Sequence, residues 1–300
     1  MTAPALPPRT SYVPHLLLAT MVAVWAISFV VAKVALLALT PFALVATRFS
    51  LATLCLLPLA LMAKHGDLRR TLVPGLFAGA ALGLGYFLQM FGVRETTASM
   101  GGFVTGLIVL LVAVGGFVFF GSRFGVRSLL GLVLGLGGIV VLCLPEAGVE
   151  RVDSQRGILL QVGAACSFAC HALLLSHYGR GLPIAAFTLW QLGFVSAAGW
   201  AATGIDGSTA LAGGHDVLWD APLVLALAYL GVVATAVAIG VQGKVQHRIP
   251  PMHVALLFAL QPLFAALAGW GLQGDRLGVA QWCGGALIVA GVIVTSLDRA

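Results

Sequence analysis

The chain alternates between long apolar runs and short polar connections. Each run is close to the ~20 residues that a helix needs to cross about 30 Å of hydrocarbon. The apolar residues are continuous rather than alternating, which is typical of transmembrane helices and not of the strands of a membrane barrel. The pattern therefore predicts an all-α membrane protein. Its ten predicted transmembrane helices cover residues 14–33, 42–63, 73–93, 98–120, 128–145, 157–178, 184–204, 221–243, 252–272 and 278–297.

Composition strengthens this prediction. Of the 300 residues, 60% are hydrophobic and only 9% are charged, and the mean hydropathy is +1.05. A soluble domain of this length could not cover its surface with so few polar groups. The connections are too short to hold a soluble catalytic domain, and no small-residue cleavage pattern follows a short apolar core near the N-terminus. We therefore expect the first helix to be an uncleaved anchor and any activity to lie within the bilayer.

Basic residues concentrate on one side of the predicted helices. With the N-terminus in the cytoplasm, the inner segments carry ten Lys or Arg and two acidic residues. The outer segments and helix ends carry six Lys or Arg and eight acidic residues. This asymmetry predicts that both termini are cytoplasmic and that the number of helices is even. The net charge of +6 is thus a topology signal, and no basic run with interleaved aromatics indicates a nucleic-acid partner.

All five cysteines lie in apolar runs. Cys166 and Cys170 share one helical face, but no carboxylate lies near them in the sequence. We expect the cysteines to be small packing residues, and we predict neither a metal site nor a cofactor.

Two segments of the chain, 121–141 and 274–294, repeat each other at an offset of 153 residues. Both open with Gly-x-Arg-x-Gly-Val and continue into an apolar run, and the same offset pairs Gln89 with Gln242. For the first two helices of each half the offset is 143. The pairs at that offset are Trp25 with Phe168, Ser28 with His171, and Arg48 with Gln191.

The repeat predicts how the halves are oriented. Five helices per half is an odd number, so the second copy must enter the membrane upside down, and inverted repeats place a site near the bilayer midplane. We expect two inverted five-helix repeats, residues 1–146 and 147–300, around a central cavity. Glycines at a spacing of four predict close helix packing on the third and fifth helices. They are Gly75, Gly79 and Gly83, and Gly131 and Gly135.

Short motifs accompany the repeat: Trp25-Ala-Ile-Ser-Phe29 followed by Lys33, Arg48-Phe49, the two Gly-x-Arg-x-Gly-Val turns, and Gln261-Pro262. With these motifs the chain resembles the drug/metabolite transporter superfamily and, within it, the ten-helix EamA-type exporters. The resemblance covers nearly the whole chain. It implies export of small metabolites, often amino acids, through a central cavity. A closer likeness is to the aromatic amino acid exporters of this family.

Polar and aromatic side chains inside the apolar runs are the candidates for substrate contact, because polar groups in hydrocarbon are costly. Aromatic walls hold a flat apolar side chain by stacking, and amides both donate to a carboxylate and accept from an ammonium. The candidate substrate-binding residues are Trp25, Phe29, Arg48, Tyr86, Gln89, Phe168, His171, Trp190, Gln191 and Gln242. Pro262 is a candidate hinge, since an internal proline frees a backbone carbonyl.

Structural alternatives stay open for several of these candidates. Trp25 and Trp190 could face lipid or the membrane interface, and Gln89 and Gln242 could bond neighbouring helices. Arg48 lies near the outer end of its helix and could tie that end or extend towards the headgroups.

No Asp or Glu lies in the middle of any run, which argues against a drug–proton antiporter with a buried carboxylate. His171 could instead be a satisfied interhelical histidine or carry a proton. The sequence favours an exporter in the cytoplasmic (inner) membrane of a bacterium. Its expected substrates are small neutral metabolites, amino acids and especially aromatic ones, and it works by alternating access. Its predicted partners are a small-molecule substrate and the lipid bilayer, and the sequence carries no signal for an oligomeric state.

Three other functions compete with export of amino acids, and one of them is that of a non-transporting subunit of a membrane assembly. A drug or nucleotide-sugar carrier of the same superfamily is the alternative, although a phosphate-bearing substrate calls for more basic residues than Arg48 and Lys33. An intramembrane enzyme is disfavoured, because the sequence has no His-Glu-x-x-His motif and no Gly-x-Ser-x-Gly nucleophile turn. We therefore predict that the protein is not an enzyme.

Overall fold

The computed structural model describes residues 12–62, 65–96, 98–121, 125–142, 154–205, 220–273 and 278–296. Within these ranges the chain is helical and has no β-strand. Its ten helical segments are α1 (Val13–Leu36), α2 (Pro41–Leu61), α3 (His65–Glu95), α4 (Ala98–Thr105 and Leu107–Phe120), α5 (Val126–Leu142), α6 (Gln155–Tyr178), α7 (Ile184–Ile205), α8 (Ala221–Ala228, the π-helical Tyr229–Val237 and Ala238–Val245), α9 (Pro251–Ala268 and the π-helical Gly269–Gln273) and α10 (Val279–Ser296).

The predicted ten-helix membrane architecture is confirmed. Seven of the segments are long and apolar enough to cross a membrane, and the shorter apolar helices lie in the second part of α4, in α5 and in α10. The largest difference in bounds is at α3, which begins at His65, several residues before the predicted apolar run. Its first turn is polar, so hydropathy alone could not locate the start of the helix.

Three helices begin with a side-chain cap at the end that the charge pattern assigns to the outer face. Thr40 Oγ1 accepts from Ala43 N at 3.3 Å at the start of α2. Asp220 Oδ1 accepts from Leu223 N at 3.0 Å at the start of α8. Ser154 caps α6 in the same way. Each cap satisfies an N–H group that the first turn of a helix leaves without a partner.

Helix packing follows a two-fold relation between the halves. The contact of α3 with α6 corresponds to the contact of α8 with α1. In the same way, α3–α7 corresponds to α8–α2, and α1–α9 corresponds to α6–α4. The pairs α2–α7, α4–α9 and α5–α10 cross between the halves. Because each half has five helices, this relation inverts one half relative to the other. The predicted boundary between residues 146 and 147 lies outside the described residues.

Glycines allow close approach where the sequence predicts it. A methyl group added at Gly79 of α3 would lie 3.0 Å from Cα of Gln191 on α7. A methyl at Gly131 of α5 would lie 2.6 Å from the carbonyl oxygen of Gly291 on α10. Such contacts bring helix backbones together in lipid.

Residues 122–124 and 274–277, which carry most of the repeated Gly-x-Arg-x-Gly-Val motif, lie outside the described part of the chain. The expectation that the cysteines are packing residues is wrong for four of them, because they are exposed on the outside of the bundle, where lipid lies in a membrane protein. These are Cys55, Cys166, Cys170 and Cys283.

The apolar core has two main parts that meet at the centre. One is built from α1, α4, α5, α6, α8, α9 and α10, and the other from α1, α2, α3, α7 and α8. Trp25 of α1 and Phe168 of α6 pack against both parts. These equivalent residues therefore stand where the two parts of the core join.

Candidate functional site

A cavity lies between the halves and holds about 550 Å³ of empty space, counting its open mouth. Its lining comes from α1, α3, α4, α6, α8 and α9. The fourteen lining residues are Trp25, Ser28, Phe29, Leu82, Tyr86, Gln89, Thr105, Ile108, Phe168, His171, Ile239, Gln242, Phe258 and Gln261.

The cavity lining obeys the internal repeat. Twelve of the fourteen residues form pairs at the two sequence offsets, so both halves contribute equivalent positions to one site. At the offset of 143 the pairs are Trp25 with Phe168 and Ser28 with His171. At the offset of 153 they are Tyr86 with Ile239, Gln89 with Gln242, Thr105 with Phe258, and Ile108 with Gln261.

Aromatic rings form the apolar wall of the cavity. The ring of Tyr86 meets Phe168 edge to face, with centroids 5.1 Å apart. The ring of Trp25 lies 6.3 Å from that of Phe258, and its Nε1–H donates to the carbonyl oxygen of Ala234 at 2.9 Å. These contacts hold the rings in place, so the wall is formed before any ligand binds.

His171 is held by a residue that stands behind the cavity wall. Gln191 Nε2 donates to the carbonyl oxygen of Phe187 at 3.2 Å, which leaves its Oε1 to accept from His171 Nε2 at 2.8 Å. This arrangement puts the proton of a neutral imidazole on Nε2. Among the described residues Nδ1 of His171 has no hydrogen-bond partner, so it is an acceptor at the cavity wall.

The glutamines of the lining differ in how firmly they are held. Gln242 Nε2 donates to Gln246 Oε1 at 2.7 Å, and Gln246 Nε2 donates to the carbonyl oxygen of Ala172 at 2.6 Å. Gln242 therefore has a fixed orientation, with its Oε1 left to accept. In the described part of the chain the amides of Gln89 and Gln261 have no partner, and they are free to donate to a ligand or accept from it.

Arg48 is buried behind the wall rather than on it. Its Nε donates to Thr235 Oγ1 at 2.6 Å, and its Nη2 donates to Tyr86 OH at 3.2 Å and to the carbonyl oxygen of Ala234 at 3.3 Å. The guanidinium carbon also lies 4.5 Å from the Tyr86 ring centroid, a cation–π distance. Arg48 thus joins α2 to α3 and α8, and it positions a ring that lines the cavity.

The π-helical part of α8 makes this junction possible. At its end, Ala238 N donates to the carbonyl oxygens of Val233 and Thr235 rather than to that of Ala234. The Ala234 carbonyl is thereby left to accept from Trp25 and Arg48. A wider helical turn at a functional site is a common role for π-helical segments.

Seven of the ten predicted site residues lie on the cavity wall, and Arg48, Gln191 and Trp190 do not. Trp190 Nε1 donates to the carbonyl oxygen of Leu68 at 2.9 Å, which ties α7 to the start of α3. Pro262 is buried within α9, next to the lining residue Gln261, and the helix continues through it. Whether any of these residues contacts a substrate or acts as a hinge stays a prediction.

Seven residues of the cavity wall are not among the candidates predicted from the sequence. They are Ser28, Leu82, Thr105, Ile108, Ile239, Phe258 and Gln261. The repeat offsets carry a usable signal for most of them. Once a lining residue is known in one half, the offset of 153 identifies the equivalent position in the other half. Tyr86 thus identifies Ile239, and Gln261 identifies Ile108.

The chain is similar to known transporter proteins over most of its length. The model of a family described as the EamA-like transporter family matches residues 13–144 and again residues 155–297. The chain is 27% identical to a protein of Escherichia coli (strain K12) named "Probable amino-acid metabolite efflux pump", over 91% of each chain. It is 27% identical to an "Uncharacterized transporter" of Archaeoglobus fulgidus, over 93% of this chain and 84% of that one.

A solved structure titled "Crystal structure of protein" shares the fold. The two superpose with a TM-score of 0.77 over 96% of this chain and 98% of the other. Sequence identity is 20%, so this likeness concerns the fold alone.

Proposed function

We propose a substrate class and a transport mechanism for this chain, which belongs to the EamA-like transporter family and is therefore a multi-pass membrane transporter of small molecules. The protein exports small neutral metabolites, chiefly amino acids and aromatic ones in particular. Export proceeds by alternating access through the central cavity. The observation that carries this proposal is the make-up of the cavity wall, in which aromatic rings combine with neutral amides.

The polar groups of the wall suit a zwitterion. With His171 neutral, no lining residue that the structure describes has a formal charge. The free amides of Gln89 and Gln261 can donate to a carboxylate. Nδ1 of His171 and Oε1 of Gln242 can accept from an ammonium group. A net-neutral substrate enters such a site without leaving a buried charge unpaired.

The aromatic residues support the preference within amino acids. Trp25, Phe29, Tyr86, Phe168 and Phe258 enclose a space in which a flat side chain can stack. Stacked or edge-on aromatic pairs contribute about 0.5–1.5 kcal/mol beyond the burial of their area. The name of the E. coli relative, an amino-acid metabolite efflux pump, supports the same substrate class.

A phosphate-bearing substrate such as a nucleotide sugar fits less well. Anionic phosphates are bound by Arg, Lys or helix N-termini. Arg48, which contacts the lining residue Tyr86, already donates to three acceptors.

Orientation and mechanism follow from the two inverted halves. Exchange between an inward-open and an outward-open state requires the repeats, 1–146 and 147–300, to rock about the shared cavity. We place the protein in the cytoplasmic membrane of a bacterium. Both termini lie in the cytoplasm, because the basic residues favour that side.

Purified protein in proteoliposomes tests this proposal. Vesicles loaded with radiolabelled phenylalanine, tryptophan, leucine or aspartate are diluted into amino acid-free buffer. Efflux is compared with that from protein-free vesicles of the same lipid that are loaded in the same way. We expect efflux of the neutral amino acids, fastest for the aromatic ones, and none of aspartate. Absence of flux for every neutral amino acid contradicts the proposal, and so does faster flux of aspartate.

A further inference from the structure

Gln161 of α6 is buried without a hydrogen-bond partner. The residue is 1% exposed, and neither Nε2 nor Oε1 has a partner among the residues that the structure describes. Nearly all buried polar groups in proteins are paired, since an unpaired one costs free energy that an apolar side chain of similar size does not. Packing alone therefore does not explain a glutamine here.

Gln161 lies on the outward continuation of the cavity. It precedes the lining residue Phe168 by seven residues, or two helical turns, so both side chains are on the same face of α6. Two turns correspond to about 10 Å along the helix. The displacement is towards the start of α6, the end that the charge pattern assigns to the outer face.

The helices that surround Gln161 also continue the cavity wall. On α3, Gly92 follows the lining residue Gln89 by three positions, and on α4, Gly101 precedes the lining residue Thr105 by four. A methyl at Gly92 would lie 2.8 Å from Cγ of Gln161, and a methyl at Gly101 would lie 3.2 Å from its Nε2. The two glycines thus make room for this side chain beside the cavity.

Phe29 forms the cavity wall next to this amide. A methyl at Gly101 would be 3.3 Å from Cε1 of Phe29 as well as 3.2 Å from Nε2 of Gln161. The aromatic ring and the amide therefore lie side by side over the same glycine.

The other half of the protein fills the equivalent place with aliphatic side chains. The offset of 143 aligns Gln161 with Leu18 of α1, and the offset of 153 aligns the two glycines with Val245 and Val254. All three aliphatic residues are buried in one apolar cluster. Aliphatic side chains can therefore fill this position in the fold, and the amide is present only at the equivalent position on the outer side.

We propose that Gln161 contacts the substrate on its outward path, after it leaves the central cavity and once the Phe29 ring has turned aside. This inference rests on the proposed export of neutral amino acids. The amide donates to the carboxylate of the passing zwitterion and accepts from its ammonium group, and thereby gains the partners that it lacks when the path is closed. Leu18, the equivalent residue on the cytoplasmic side, offers no such contact. Gln161 therefore assists release of the substrate to the outside and not its entry from the cytoplasm.

The variant Gln161→Met tests the contact, because methionine has a similar length and no amide. We expect efflux of labelled phenylalanine from proteoliposomes to fall about tenfold, the cost of one hydrogen bond in the rate-limiting step. Equilibrium binding in detergent stays within about twofold, since the central cavity is intact. The matched control Leu18→Met, at the equivalent position, changes neither quantity. Wild-type efflux in Gln161→Met overturns the proposal, and so does an equal loss of binding and efflux.

A labelling experiment separates this inference from the proposed function. A cysteine is introduced as Gln161→Cys in a chain whose five native cysteines are alanine, and a membrane-impermeant maleimide is added outside. We expect slow labelling that accelerates when Phe29→Ala is added. Labelling without amino acid flux contradicts the proposed substrate class but leaves the outward path in place. Amino acid flux with no labelling, with or without Phe29→Ala, overturns the path and leaves the proposed function standing.

Discussion

The guanidinium group of Arg48 lies 4.5 Å from the ring centroid of Tyr86 and donates from Nη2 to the hydroxyl of the same residue at 3.2 Å. One side chain of α2 thus holds an aromatic ring of α3 by two contacts, from the side away from the cavity. Gln191, at the position equivalent to Arg48, holds His171 by one hydrogen bond. In both halves, a polar residue on the second helix positions a residue of the cavity wall.

This relationship predicts the effect of removing the hydroxyl. Tyr86→Phe keeps the ring but takes one acceptor from a buried cation, so the free energy of unfolding should fall by about 1 kcal/mol. Arg48→Lys should cost more, because an ammonium group cannot reach three acceptors in the plane of the guanidinium. Thermal unfolding in detergent measures both effects, with Arg180→Lys, at an exposed turn, as the control. A Tyr86→Phe protein as stable as wild type would show that the hydrogen bond is not important.

The two equivalent glutamines should respond differently to substitution. Gln89→Leu removes an amide that has no partner in the described structure, so we expect phenylalanine binding to weaken about tenfold without loss of stability. Gln242→Leu also leaves Gln246 Oε1 without its donor. It should therefore weaken binding and destabilise the protein by about 1 kcal/mol. Binding isotherms and thermal unfolding of the same preparations give the comparison. Equal losses of stability in the two variants would contradict it.

Phe168 should determine the preference for aromatic substrates. Phe168→Leu keeps the wall apolar but removes the ring, so the ratio of phenylalanine to leucine efflux should fall about threefold to tenfold, as expected for one aromatic pair. Phe77→Leu is the matched control, because Phe77 is 64% exposed on the outside of the bundle. An unchanged ratio in Phe168→Leu, or an equal fall in both variants, argues against stacking on this ring.

Adjacent glycines on α5 allow a test of the packing between the halves. A methyl at Gly138 would lie 2.8 Å from the backbone nitrogen of Ile288, whereas a methyl at Gly137 would meet nothing within 4 Å. Gly138→Ala should therefore destabilise the protein by about 1–3 kcal/mol through overpacking. Gly137→Ala should be neutral or stabilising by up to about 1 kcal/mol, since alanine favours the helix. Thermal unfolding of the pair decides, and similar shifts in both variants contradict the close α5–α10 contact.

The number and order of the helices could be predicted from the sequence because an apolar run of membrane length has one stable solution in lipid. Local detail could not. The polar first turn at His65 and the π-helical segment Tyr229–Val237 depend on contacts between helices and leave no trace in hydropathy.

The sequence indicates which candidate residues lie within the membrane, but not the direction in which their side chains point around the helix axis. Polar type and position along the helix indicate that Arg48 and Gln191 lie within the membrane, yet both stand one layer behind the cavity. Neighbouring residues of a helix differ by about 100° in direction, so the facing side chain is fixed only when the partner helices are known. The repeat offsets partly supply that information, because a lining residue in one half identifies its equivalent in the other.

Sided labelling of single cysteines at positions 89 and 242 tests the central claim most directly. In a chain without native cysteines, Gln89→Cys and Gln242→Cys are treated with an impermeant maleimide in right-side-out and in inside-out vesicles, with and without phenylalanine. Alternating access through one cavity predicts that each position reacts from both sides and that phenylalanine slows both reactions. Reaction from one side only under all conditions, or reaction rates that no neutral amino acid alters, would contradict the account.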